Sequence, residues 1–325
     1  MEDRIDLRRL SGTDVVVSPV ALGCWPIAGM TSVNVNDADS LDTLKACLDV
    51  GINFLDTAYC YGANGESESL IRRAIGDSRD RFAIATKGGI HWDRAGNRVQ
   101  DASPNTLRRQ CDESLKRLGT DRVELLYLHA PDPQIPIEES AKALDELRRA
   151  GKARAIGVSN ASVELLQRFA AVCPINAVQP PYNMLQRQIE DSLLPWCRQQ
   201  DISVFVYWPL MKGLLAGKLP RDFQFAPGDG RAKYPMFRGE EWEKNQNFLD
   251  QLRTIAADYG RTVAELVVNW TIHQPGITGA LCGAKRAEQL RENAKAMGWR
   301  LDDDALRRID RALQLRGEPV VGRAV

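Results

Sequence analysis

Histidine is scarce in this chain. Only His91, His129 and His273 occur in 325 residues, and none stands at zinc-ligand spacing from another ligand, so no metal centre is expected. The seven cysteines are scattered and odd in number, with no Cys-x-x-Cys pair. That excludes a disulfide framework and favours reduced, buried thiols in the cytoplasm. Net charge is also missing: Lys and Arg number 43, as do Asp and Glu, which argues against nucleic acid or an anionic membrane surface as the main partner. No apolar run reaches membrane-spanning length, and Met1 to Leu10 is charged, without a secretory-type apolar segment. No strand is followed by Gly-x-Gly-x-x-Gly, which counts against a Rossmann domain. A small-molecule partner, and a monomer or weak homo-oligomer, are the expectations that remain.

What is present is an alternation of short apolar runs with amphipathic segments. Ile5 to Leu10 and Val15 to Val17 read as a hairpin. Strands are then expected at Val20–Cys24, Ile52–Asp56, Phe82–Thr86, Val123–Leu128, Ala153–Val158, Ala177–Gln179, Ile202–Tyr207 and Gly279–Cys282. Helices are expected between them, at about 37–50, 66–76, from Ser103-Pro104 to Leu118, and at 137–150, 162–171 and 187–199. A long segment rich in Gly, Pro and basic residues runs from Pro209 to Trp242. Helices at about 243–259, from the Thr262-x-x-Glu265 capping box to His273, at 286–297 and through Leu306, Ile309 and Leu313 complete the chain. Continuous apolar strands alternating with helices predict parallel strands covered on both faces. Eight such units favour a closed (β/α)8 barrel of TIM type, here one domain over residues 1–325 with an N-terminal β-hairpin and extra C-terminal helices.

Polar residues fall at the strand ends. The second strand ends in Asp56, with Tyr61 on the loop beyond; the third leads to Lys87, the fourth to His129, the fifth to Ser159-Asn160, the sixth to Gln179 and the seventh to Tyr207. In a barrel these groups ring one mouth. Any one of them alone is more simply a cap or a solvated loop residue, but carboxylate, ammonium, phenol and imidazole from neighbouring strands make a coherent acid/base set. A phenol ordinarily titrates near about 10. An adjacent ammonium is expected to lower that value, with the carboxylate holding the ammonium in place. Tyr61 would then protonate a developing alkoxide, Lys87 and Asp56 would form the relay, and His129 would fix the carbonyl oxygen. Such proton transfer contributes about 10²–10⁴ in rate, so a hydride donor must supply the remainder.

These residues resemble the aldo-keto reductases over nearly the whole chain. The matching motifs are Asp56-Thr57-Ala58-x-x-Tyr61-Gly62 with Ser67-Glu68, Ala85-Thr86-Lys87, Leu128-His129, Gly157-Val158-Ser159-Asn160 and Gln179. Pro209-Leu210, Gly213-Leu214, Gly217-Lys218, Gly283-Ala284, Gln289 and Glu292-Asn293 follow. A short segment after His129 and a long 209–242 loop resemble the bacterial and channel-β-subunit branches. The resemblance implies a (β/α)8 reductase using NADPH, with Asp56, Tyr61, Lys87 and His129 as catalytic tetrad. It implies that Ser159, Asn160 and Gln179 hold the nicotinamide carboxamide and that Tyr207 stacks on its ring. Leu210, Gly213 and Lys218 would wrap the pyrophosphate, and Trp25, Asp56, Trp208, Pro209 and Arg231 would also meet the coenzyme.

The turn at Gly283 into the next helix reads independently as an anion site, since helix N-termini present unpaired N–H groups. Lys285 and Arg286 add positive charge there, suited to the 2′-phosphate of NADP, with Gln289 and Asn293 on the same helix. NADPH is therefore expected over NADH. Trp25, Tyr61, Trp92 and His129 are the expected substrate contacts, with His91 and Tyr182 as further aromatic candidates at the mouth, for a small aldehyde, ketone or sugar. The tail from Gly317 to Val325 is expected either to fold over the pocket or to meet a neighbouring subunit. Two rival readings are a Schiff-base enzyme of aldolase type with Lys87 as nucleophile, and a slowly turning NADPH-sensing subunit.

Overall fold

The computed structural model describes residues 6–29 and 34–320. Two short strands, β1 (Arg8–Arg9) and β2 (Val16–Val17), pair antiparallel as the expected hairpin; Ile5, its proposed start, lies outside the described residues. The chain then runs through β3 (Val20–Gly23), α1 (Asp37–Lys45), β4 (Phe54–Asp56), α2 (Glu66–Ile75) and β5 (Ala83–Gly88). A second hairpin, β6 (Ile90–Trp92) with β7 (Arg98–Gln100), precedes α3 (Pro104–Leu118). There follow β8 (Val123–Leu128), α4 (Ile137–Arg149), β9 (Ala153–Ser159), α5 (Val163–Ala170), β10 (Ala177–Gln179), α6 (Leu193–Gln199) and β11 (Ser203–Tyr207). The last elements are α7 (Gly239–Asp258), α8 (Val263–Ile272), β12 (Gly279–Gly283), α9 (Ala287–Ala294) and α10 (Asp303–Arg316).

Strands β3, β4, β5, β8, β9, β10, β11 and β12 pair in parallel in that circular order and close into a barrel. The expected (β/α)8 barrel is therefore the observed fold. Local chemistry agrees with it. Ser103 accepts from the Thr106 N–H with Pro104 in the first turn of α3, and Thr262 and Glu265 form the capping box of α8. The helix expected at 37–50 is shorter, with α1 ending at Lys45 and a 3-10 turn at Leu48–Val50. The segment expected at 187–199 is a 3-10 turn at Gln188–Glu190 followed by α6. The 209–242 segment contains three 3-10 turns, and α7 already begins at Gly239.

Two apolar layers hold the barrel. The larger lies between the strands and the helices. The smaller fills the interior, where Phe54, Leu125, Tyr127, Phe205 and Leu281 alternate with alanines, and Leu10, Val15 and Val17 of the first hairpin close the end opposite the strand C-termini. Phe54 and Phe205 meet edge to face, centroids 4.8 Å apart. All seven cysteines are buried and unpaired, and burial pushes six of their thiols up to about 12. Among the described residues no helix is long and apolar enough to cross a membrane.

One glycine fixes the interior packing. A Cβ on Gly157 of β9 would lie 2.3 Å from Cε1 of the fully buried Tyr127 ring, and neither strand can retreat from a closed barrel. Gly157→Ala should therefore destabilise the fold by about 1–3 kcal/mol through overpacking. Chemical denaturation measures this, and an unchanged midpoint would mean that the Tyr127 ring is free to move.

Candidate active site

Each polar strand end expected at the mouth is found there. In the register of the barrel Asp56 pairs with Gly23 and Ala85, and Lys87 with Tyr127. Lys87 and Asp56 are only 1% and 2% exposed. The Lys87 ammonium donates to Asp56 Oδ1 at 2.5 Å, to the Thr57 carbonyl at 2.8 Å and to the Tyr61 hydroxyl at 3.2 Å. An ammonium has three N–H donors, and all three are engaged. The second Asp56 oxygen accepts from Gln179 Nε2 at 2.7 Å, so β10 reaches across the barrel to hold the same carboxylate. Burial pushes the Asp56 carboxyl upward, while Lys87 and Gln179 pull it back.

The loop between β4 and α2 selects one of its two tyrosines. Tyr59 turns outward, donating to Glu113 at 2.5 Å with Arg117 over its ring. Tyr61 turns inward, with Lys87 Nζ 4.8 Å from its ring centroid, Trp25 edge-on at 4.9 Å and His129 at 6.0 Å. Gly62, at φ +98°, makes this possible, because a Cβ there would lie 2.0 Å from a carboxylate oxygen of Glu66. Ser67 and Glu68 brace the same region. Ser67 shares a hydrogen bond with Thr57 at 2.8 Å, and buried Glu68 accepts from Thr86 at 2.7 Å and from Arg117 at 3.3 Å.

The expected lowering of the Tyr61 phenol is not found. Burial raises it well above its ordinary value, and Asp56 adds to the shift; with Asp56 held against Lys87, removal from water outweighs the neighbouring cation. Tyr61 thus keeps its proton. Burial, Lys87 and Arg98 together hold His129 well below the ordinary histidine value, so its imidazole is neutral. Its Nδ1 lies 3.6 Å from Cys60 Sγ, and burial keeps that thiol protonated. A thiol that donates to Nδ1 leaves the ring proton on Nε2, free to face the mouth.

Neighbouring strand ends complete the mouth. Ser159 is buried and donates to the Gln179 carbonyl at 2.8 Å. Asn160, left-handed at φ +58°, a conformation asparagine tolerates, donates to the His129 carbonyl at 3.0 Å and accepts from the Tyr207 hydroxyl at 2.8 Å. Trp92 donates its indole N–H to the Cys60 carbonyl at 2.8 Å and packs against the same apolar cluster as Tyr61. Tyr182 does not line the mouth. It is fully buried, stacks on Trp270 at 5.8 Å and bonds Glu190 at 2.5 Å. His91 precedes Trp92 on β6 and, by the strand's alternation, points to the opposite face of the hairpin. Of the tail, Val320 N–H bonds Glu241 of α7 at 3.1 Å beside the buried Arg316; residues 321–325 lie outside the described residues.

A second cluster forms where β11 and β12 end. Trp208, Met211, Lys212 and Gly213 all have φ between +43° and +89°, a concentration of strain of the kind met at ligand clamps. Sequence reading missed Lys212, whose ammonium lies 3.6 Å from the Trp208 ring centroid and 4.5 Å from that of Tyr234. Burial and Lys233 lower it to about 8. Pro209 and Leu210 lead into this turn, whose Gly213 faces Arg231. Arg286 caps α9 without a side-chain hydrogen bond, Gln289 accepts from the Lys285 N–H at 2.8 Å, and Asn293 is buried on the same helix. Lys285 is half-buried and lowered by burial and by the charge of Arg231. The expected cations have acidic neighbours: Arg286 has Asp39 at 3.4 Å, Arg231 has Asp229 at 2.7 Å, Lys218 has Glu292, and Asp229 also acts on Lys285.

The neutral His129 has a measurable consequence. A histidine lowered in the fold makes the unfolded chain bind more protons below about 6.5, so its contribution to stability is lost as pH falls through that range. His129→Gln should flatten the acid limb of a stability–pH profile, and an unchanged limb would mean that His129 protonates freely in the fold.

Comparison with known proteins identifies the lineage. The chain is 36% identical over 308 residues to the aldo-keto reductase YhdN of Bacillus subtilis, covering 94% of this chain and 92% of that protein. It is 35% identical over 310 residues to the NADH-specific methylglyoxal reductase of Escherichia coli, covering 90% and 94%. The solved glycerol dehydrogenase AKR11B4 of Gluconobacter oxydans superposes with a TM-score of 0.91 at 34% identity, over 100% of this chain and 99% of that one. Residues 19–314 match the Aldo/keto reductase family, and the chain belongs to that family of nicotinamide-dependent oxidoreductases acting on carbonyl compounds.

Proposed function

We propose that this protein is an NADPH-dependent reductase of small aldehydes and ketones, sugars included, in which Tyr61 is the general acid. The observation that carries the reading is the saturation of Lys87. With its three N–H groups spent on Asp56, Thr57 and the Tyr61 oxygen, the phenol accepts from Lys87 and keeps its own O–H for a carbonyl oxygen at the mouth. The reduced coenzyme supplies the hydride. As the carbonyl oxygen gains negative charge, the Tyr61 proton passes to it, and the resulting phenolate is stabilised by the ammonium beside it. The neutral His129 donates a second hydrogen bond to the same oxygen and orients the carbonyl. Methylglyoxal and glycerol, named for two relatives, are small oxygenated compounds in keeping with a mouth of this kind.

The residues present fit a dinucleotide. Tyr207, held by Asn160, offers an aromatic face for the nicotinamide, and Asn160 and Gln179 offer amides for its carboxamide. The first turn of α9 offers backbone N–H groups to the phosphates. Lys285 and Arg286 favour a 2′-phosphate, against the pull of Asp39 on Arg286. A Schiff base at Lys87 would need a free amine lone pair, in conflict with three engaged N–H groups. A sensor without turnover would have no use for the neutral imidazole beside Tyr61.

Tyr61→Phe should lower carbonyl reduction by about 10²–10⁴ while coenzyme binding, followed by fluorescence, survives; near-wild-type reduction would remove Tyr61 as the acid. Arg286→Ala should weaken NADPH more than NADH in the same titration. Equal weakening of both would remove its 2′-phosphate role and move the preference toward NADH, the coenzyme named for the E. coli relative.

A further inference from the structure

The β6–β7 hairpin carries a cation that the proton relay does not use. Arg98 stands directly opposite Trp92 in the antiparallel register, and directly opposed residues share one face of a ribbon. That face is turned toward the barrel mouth, since Trp92 bonds the Cys60 carbonyl and packs against the same apolar cluster as Tyr61. The Arg98 charge is accordingly felt at His129, at Cys60 and at Tyr207. In the circular strand order β5 lies opposite β11, so the hairpin after β5 faces Tyr207 across the opening.

Arg98 is exposed, and among the described residues no acid pairs with it. Asp56 is held by Lys87 and Gln179. Asp93 accepts from Ala95 and Asn97 of its own turn, Asp101 from Ser103 and Thr106, and Asp132 from Gln134 and Ala102. The Arg98 guanidinium makes no ion pair or hydrogen bond among the described residues. A carbonyl compound entering between the hairpin and the Tyr207 ring thus meets a fork of five N–H donors carrying a charge with no internal partner.

We propose that Arg98 is a specificity-determining residue that binds a carboxylate or phosphate carried by the substrate, so that anionic aldehydes and ketones are preferred over neutral ones of the same size. The premise is the reductase chemistry above; the new element is the second charge on the substrate. A charge-assisted, two-pronged contact of this type discriminates by about tenfold or more.

The test pairs substrates that differ by one anionic group: 4-carboxybenzaldehyde against 4-methylbenzaldehyde, and glyceraldehyde 3-phosphate against glyceraldehyde. Wild type should favour the anionic member by about tenfold or more in kcat/KM in at least one pair, and the pair that shows it tells carboxylate from phosphate. Arg98→Ala should bring that ratio near one, chiefly through KM. Arg98→Glu should take it below one, and Arg98→Lys should keep most of it. A wild-type ratio near one in both pairs, or a ratio untouched by Arg98→Glu, overturns the assignment. Absence of coenzyme oxidation with every aldehyde would instead overturn the reductase reading. Arg98 is then judged by binding of 4-(hydroxymethyl)benzoate and 4-methylbenzyl alcohol to the coenzyme-loaded protein, read by tryptophan quenching. Tighter binding of the benzoate, lost in Arg98→Glu, sustains the assignment; equal binding ends it.

Discussion

The buried Lys87–Asp56 pair is the constraint on which the rest of the mouth depends. Removing two charges from water is expensive, and their attraction offsets this only when the remaining donors and acceptors are also satisfied. Here they are: Thr57 and Tyr61 take the other ammonium protons, and Gln179 takes the second carboxylate oxygen. The pair therefore fixes more than itself. It sets the end of β4 against that of β5, draws β10 in from the far side, and leaves Tyr61 one orientation. The Thr57–Ser67 and Thr86–Glu68 bonds then hold the outer layer to this inner one, which gives the Ser-Glu motif at the head of α2 a structural purpose.

The mouth divides into a half-buried acid/base half and a left-handed half. Around Tyr61 and His129, desolvation dominates, keeping the phenol protonated and the imidazole neutral. Around Trp208 to Gly213 the backbone is held in left-handed conformations by packing that includes the Lys212 cation against two rings. The two halves meet at Tyr207, whose hydroxyl is tied through Asn160 to the backbone of His129. Two hydrogen bonds thus join the start of the left-handed turn to the backbone of His129.

Much of this was legible in the sequence, because burial and strand parity act locally. Apolar runs of the right length ending in Asp56, Lys87, His129 and Gln179 announced both the barrel and its functional end. Besides Lys212, three features escaped. The β6–β7 hairpin shows only three-residue strands, and its signal was the turn around Gly96 (φ +80°) between Trp92 and Arg98. Tyr182 was assigned to the mouth by its distance from Gln179 along the chain, whereas its ring is drawn into the helix layer by Trp270. The phenol of Tyr61 was expected to fall because the charge beside it is positive; the depth of burial that decides the sign is a property of the assembled barrel. That Tyr61 and not Tyr59 faces the mouth is explained by Glu113, which claims Tyr59 from outside.

The seven buried thiols turn the chain into a record of its own openings. They lie on or beside β3, α1, the β4–α2 loop, α3, α5, α6 and β12. A thiol reacts as thiolate, and these are both protonated and sealed from reagent. Each is modified only when the segment covering it parts from the barrel. Alkylation followed by peptide mapping therefore reads local opening free energies at seven places around the molecule without any engineered label.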